Sequence, residues 1–60
     1  PRYPSLDGTL EETAERWRRA GEAARIRRAL ESTGGDKTRS AEELGVPVRR
    51  LAQRMKELGI

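Results

Sequence analysis

The sequence predicts a small all-α domain, two N-terminal dimerisation helices followed by a helix-turn-helix, and three observations lead there. Apolar residues recur at steps of three and four along most of the chain, the signature of one buried helical face. Helix-start residues (Thr9, Asp36, Pro47) and stop glycines (Gly34-Gly35, Gly45, Gly59) cut the chain into helical lengths. The 60 residues hold no Phe, one Trp, one Tyr and one Met. A domain this small buries only about 60% of its unfolded surface, so so little core material calls for a second subunit.

Residues 1–8, PRYPSLDG, carry two Pro and a Gly with no periodicity and read as a linker or arm. In TLEE, Thr9 and Glu12 have the spacing of a capping box, and Glu11, Glu12 and Glu15 suit a helix N-terminus. Helical pattern then runs over 9–33. Leu10, Ala14, Trp17, Gly21 and Ala24 form one stripe, and Ala23, Ile26, Leu30 and Thr33 form another, offset around Gly21. The offset predicts either two helices meeting near Gly21 or one helix bent there. Glu11, Glu12, Glu15 and Glu22 are spaced to pair with Arg16, Arg18, Arg19 and Arg25 along the same helix.

Asp36 is a good N-cap for a short helix from Lys37 to Leu44. Gly45 breaks that helix, and Pro47 is expected in the first turn of the next. Val48, Leu51, Met55 and Leu58 form its buried stripe, and Gly59 closes it, with Ile60 placed for a hydrophobic contact. Two short helices joined by a tight Gly-containing turn make a helix-turn-helix over 36–60. Ala41 is small where the helices cross, Val46 plugs the corner and Leu51 anchors the second helix.

Charge says what such a unit meets. The chain carries a net +3. Over 47–60, Arg49, Arg50, Arg54 and Lys56 face only Glu57, so this segment alone holds a surplus of +3. Charge concentrated in this way suits a polyanion. At about 100° per residue, with Leu51 pointing inward, Arg49 and Gln53 point outward and Arg50 and Lys56 lie to either side. Arg54 flanks the buried stripe and can extend outward along its stem. Arg and Gln read guanine and adenine edges in the major groove, and an apolar side chain such as Val48 meets a thymine methyl. Arg49, Arg50, Gln53 and Val48 are therefore the expected base contacts, and Lys37, Thr38, Arg39, Arg54 and Lys56 the expected phosphate contacts. Double-stranded DNA is the expected partner.

Other classes find little support. No apolar run approaches ~18 residues, so no membrane span is expected. With no Cys and no His, disulfides are excluded and a zinc site is not expected. No P-loop is present, the carboxylates are explained by helical ion pairs, and neither a cofactor nor an enzyme activity is expected. No signal peptide is expected ahead of the domain, and the absence of Cys fits a reducing cytoplasm. The chain opens on Pro1, and we expect it to be part of a longer protein.

The stretch GGDKTRSAEELGVPVRRLAQRMKELGI resembles the C-terminal DNA-binding domain of the Fis family, nearest to the NtrC-type activators that work with sigma-54. The resemblance rests on Gly34-Gly35-Asp36, Thr38-Arg39-Ser40-Ala41, Leu44-Gly45-Val46, Leu51 and Leu58-Gly59-Ile60, and it covers about residues 25–60. It implies a bacterial cytoplasmic homodimer with an intertwined helical core, placing Leu10, Ala14, Trp17, Ala24 and Ile26 in the interface. It also implies binding to inverted-repeat enhancer sites, and a parent protein whose ATPase domain remodels RNA polymerase holoenzyme. Pro47, Val48, Arg50, Ala52 and Gly21 depart from the family's usual residues, four of them on the recognition helix, so the operator sequence does not carry over. A stand-alone Fis-like nucleoid protein and a helical dimerisation module without DNA are the alternative readings.

Overall fold

The capping box at Thr9 forms as its spacing requires. The Thr9 hydroxyl accepts from the Glu12 amide at 3.1 Å, and the Glu12 carboxylate accepts from the Thr9 amide at 2.9 Å. That backbone bond from Thr9 holds the Glu12 carboxyl below its ordinary range. In the computed structural model, which describes residues 3–60, the helix started here is α1, Leu10–Ser32. It is followed by α2, Lys37–Leu44, and α3, Val48–Leu58. Every regular element among the described residues is helical, and no helix is long and apolar enough to cross a membrane. Residues 1 and 2 of the expected arm lie outside the described residues.

α1 runs unbroken through Gly21, so of the two expected arrangements it is one helix and not two. Glycine there costs about 1 kcal/mol relative to Ala. No proline and no capping residue accompanies it, and the Ala, Arg and Glu around it are good helix formers. Continuity changes the meaning of the two apolar stripes. On one continuous helix they lie on opposite faces, about 180° apart at roughly 100° per residue. Ile26 and Ala29, with the partly buried Leu30, face the rest of the domain. Leu10, Ala14, Trp17 and Ala24 face away and are exposed. Ile26 therefore stands in this chain's own core at 5% exposure, not on the outward face with the other expected interface residues.

The arm folds back along α1. Arg16 donates to the carbonyls of Ser5 (2.7 Å) and Asp7 (3.0 Å), the Thr13 hydroxyl donates to Asp7 at 3.1 Å, and Tyr3 stacks on Trp17 with ring centroids 6.2 Å apart.

Asp36 caps α2, accepting from the Arg39 amide at 3.0 Å. α2 ends at Gly45, whose φ of 72° is a left-handed cap that a side chain would strain. The turn closes by a bond from the Val46 amide to the Ala41 carbonyl at 3.0 Å. α3 ends the same way at Gly59, with the Ile60 amide bonded to Met55 at 2.8 Å and Ile60 packed on the core. Pro47 is the N-cap of α3 and not part of its first turn, with extended backbone at ψ 146°. Proline gives no side-chain cap, but it loses no amide needed for the helix.

The core is small: Ile26, Ala29, Ala41, Leu51 and Met55 are buried, with Leu30, Leu44, Val46, Leu58 and Ile60 around them. Ser40 is fully buried between α1 and α2. Its hydroxyl donates to the Ala29 carbonyl at 3.2 Å and lies 2.7 Å from that of Thr33. Across the other seam, Arg54 of α3 makes a two-pronged bond to Glu22 of α1, Nε and Nη2 each at 2.5 Å, and pairs with Glu57 through Nη1. Glu22 thus finds its partner in α3, not at helical spacing along α1. Arg18 does pair with Glu15 at 2.7 Å, and Arg25 crosses to Glu43 of α2 at 3.4 Å.

Two outcomes follow from this packing. Leu51→Ala is expected to cost about 2–5 kcal/mol, measured as a urea midpoint; a cost near zero would contradict its role as the central core residue. The hydrogen bond from Arg54 holds the Glu22 carboxyl below its ordinary range. A carboxylate with a lowered folded pKa stabilises above its unfolded value of roughly 4.3 and loses that contribution as pH falls through the folded value. Glu22→Gln should therefore lower the unfolding midpoint at neutral pH and match the parent in acid below the folded value. A gap of the same size at both pH values would contradict it.

Candidate nucleic-acid interface

α3 is an amphipathic helix with its apolar side spent on the core. Leu51 is 2% exposed and Met55 9%, both inward. Val48, Arg49, Arg50, Ala52, Gln53 and Lys56 are all exposed. Val48, which sequence placed both on the buried stripe and at a base, is 45% exposed, so the buried stripe starts at Leu51. The turn holds α3 by its N-terminal end against α2, so Val48, Arg49 and Arg50 stand at the corner of the motif, where a recognition helix enters a groove.

Three cations on this helix form no ion pair among the described residues: Arg49, Arg50 and Lys56. Gln53 lies on the outward side with Arg49 and Lys56, one turn on from Arg49, while Arg50 flanks it on the side toward α1. An Arg fork and an amide on one exposed face supply the paired donors and acceptors that base edges match. Lys37, Thr38 and Arg39 occupy the first turn of α2 and are exposed. Basic and hydroxyl side chains at a helix start are common phosphate contacts, and here the Arg39 amide is already taken by the Asp36 cap.

Arg54 is placed differently from the phosphate contact that sequence suggested. Its side chain is 21% exposed, and all three guanidinium nitrogens bond to the carboxylates of Glu22 and Glu57. The bond to Glu22 pushes its pKa further above the ordinary arginine value. The group carries one positive and two negative charges, so Arg54 adds nothing to the positive surface. The cations left for a polyanion are those at the start of α3 and on its outward side.

Beside Arg54 a shallow cavity of about 210 Å³ opens between α1 and the motif, lined by Glu22, Ile26, Leu51 and Arg54 among others. Its one carboxylate is ion-paired and held ionised, the opposite of the raised pKa that a general acid or poised base needs. Among the described residues no three His, Cys, Asp or Glu gather as a metal site.

Of the expected interface residues, Leu10 (79% exposed), Trp17 (38%), Ala14 and Ala24 share the outward face of α1. Sequence reasoning did not find the buried Ser40 or the Glu22–Arg54 pair. Ser40 had a signal, since a small hydroxyl beside Ala41 at a close crossing can bond a carbonyl of the facing helix. The pair had none, because its members lie 32 residues apart.

The family model described as "Bacterial regulatory protein, Fis family" matches residues 18–58. No curated protein and no solved structure matched the chain. The matched residues span α1 from Arg18 onward and all of α2 and α3, which is the helix-turn-helix with the helix that supports it. The exposed basic face of α3 lies within the match. The chain therefore belongs to the Fis family of bacterial regulatory proteins.

Proposed function

We propose that this chain is the sequence-specific DNA-binding and dimerisation domain of a bacterial transcription activator of the NtrC type, acting with sigma-54. α3 lies in the major groove of an inverted-repeat enhancer site. Arg49, Arg50, Gln53 and Val48 meet base edges, while Lys37, Thr38, Arg39 and Lys56 meet phosphates. The observation that carries the reading is the exposed surface of α3, where Arg49, Arg50 and Lys56 stand near Gln53 and out of any described ion pair.

The homodimer is supported by the outward face of α1. Leu10, Ala14, Trp17 and Ala24 lie exposed on one side of a helix whose other side is already packed, and a 60-residue domain with so small a core gains from covering them. Two chains paired along this face present two recognition helices, as an inverted repeat requires. The domain carries no catalytic role in this reading. Contact with RNA polymerase holoenzyme belongs to another domain of the parent protein, in the bacterial cytoplasm.

The test is a fluorescence-anisotropy titration of an inverted-repeat duplex from the parent's regulated promoter against random duplex, at several salt concentrations. Each neutralised phosphate contributes about −0.9 to the log–log salt slope, so a slope of roughly −5 or steeper is expected. Saturation at two chains per duplex and preference for the promoter are expected as well. Arg50→Ala should weaken binding and leave thermal stability nearly unchanged. Steep binding without preference would favour a nucleoid-type protein. One chain per duplex would remove the dimer, and weak, salt-insensitive binding would leave a dimerisation module.

A further inference from the structure

Arg54 sits on the recognition helix, is always charged, and yet is turned away from the surface that its neighbours form. Its fork is matched to Glu22 on α1 in the planar two-bond geometry that fixes both distance and angle between two groups. Glu57 takes its remaining nitrogen. One turn from Glu22 along the same face of α1, Ile26 packs against Leu51 and Met55. One turn the other way, Arg19 donates to the Glu57 carbonyl at 3.3 Å. α3 is thus held on α1 at an apolar pivot, Ile26, and at a polar tie on one side of it. Apolar contact at Ile26 is not directional, so on α1 it does not by itself fix the angle of α3. The two-pronged tie adds a fixed direction to that contact.

Small rotations matter here. An 11-residue helix is roughly 16 Å long, so a turn of about 10° about its middle moves each end by roughly 1.4 Å, and two paired chains turning alike shift their half-site separation by roughly 3 Å, close to the ~3.4 Å rise of one base pair. We propose that Glu22 and Arg54 are a positioning pair that sets the angle of the recognition helix on α1, and so the half-site separation that two paired chains read. Neither side chain touches DNA in this role. The inference rests on the reading of the chain as a dimeric DNA-binding domain.

Charge makes the pair testable in a way that a plain structural contact is not. Glu22→Gln raises the net charge by one and Arg54→Gln lowers it by one. The parent, both single variants and the double variant are titrated, below their unfolding midpoints, with duplexes whose half-site centres are separated by successive single base pairs, and with random duplex. Both single variants are expected to lose roughly tenfold of the parent's preference for its best separation over its neighbours, a loss of the size of one mismatched base pair. The double variant should lose no more than either single. On random duplex the two singles should diverge, Glu22→Gln tighter and Arg54→Gln weaker, as their charges dictate.

If Arg54 is instead a phosphate contact restrained by Glu22, Glu22→Gln will tighten binding to the best duplex with its separation preference intact, and the proposal falls. If both variants melt earlier but keep the parent's separation profile, the pair is merely structural and the proposal falls. A parent that shows no preference among any duplexes would overturn the DNA-binding reading itself, and this inference with it.

Discussion

The domain depends on one close crossing. α1 and α2 meet where Ala29, Ser40 and Ala41 are almost entirely hidden from solvent, and only side chains this small let the backbones approach so closely. The approach brings the Ser40 hydroxyl to the Ala29 carbonyl and the Thr33 hydroxyl, so a buried polar group is satisfied and not stranded. It also forms the floor on which Leu51 and Met55 seat α3. A larger residue at Ala41 would lift α2 from α1 and open the site that Leu51 fills. The orientation of the exposed basic side chains therefore traces back to three small residues that touch no ligand.

Electrostatics then divides the labour along α3. The apolar side chains face in, and the one cation close to them, Arg54, is neutralised by Glu22 and Glu57. The cations away from the core have no such partners among the described residues, so the positive field collects at the corner of the motif and on its outward side. A net charge of +3 is modest, but little of it is cancelled where the recognition helix would enter a groove.

Much of this was legible in the residues. Asp36, Gly45 and Gly59 mark the bounds of α2 and α3 because capping is local chemistry, decided within a few residues of each helix end. The all-α class and the exposed set Arg49, Arg50, Gln53 and Lys56 follow from helical periodicity with Leu51 fixed inward. The continuity of α1 was not legible, because a lone glycine's cost of about 1 kcal/mol is too small to decide between a helix and a break. The side of α1 on which Ile26 falls depended on that outcome. Pro47 slipped by one position, within the uncertainty of any helix boundary. Glu22–Arg54 joins residues 32 apart, and nothing local links them; with many Glu and Arg in the chain, sequence favours pairs at helical spacing.

α1 emerges as a helix with two employments, one face holding the motif and the other exposed over Leu10, Ala14, Trp17 and Ala24. The central claim is that α3 and the start of α2 form the surface that meets DNA, while the first half of α1 does not. The most direct measurement is amide chemical-shift mapping of the 15N-labelled chain titrated with promoter duplex. The account predicts the largest changes at Lys37, Thr38 and Arg39 and at Val48, Arg49, Arg50, Gln53 and Lys56, with little at Leu10, Ala14 and Trp17. Changes concentrated on the first half of α1, with α3 unmoved, would contradict it.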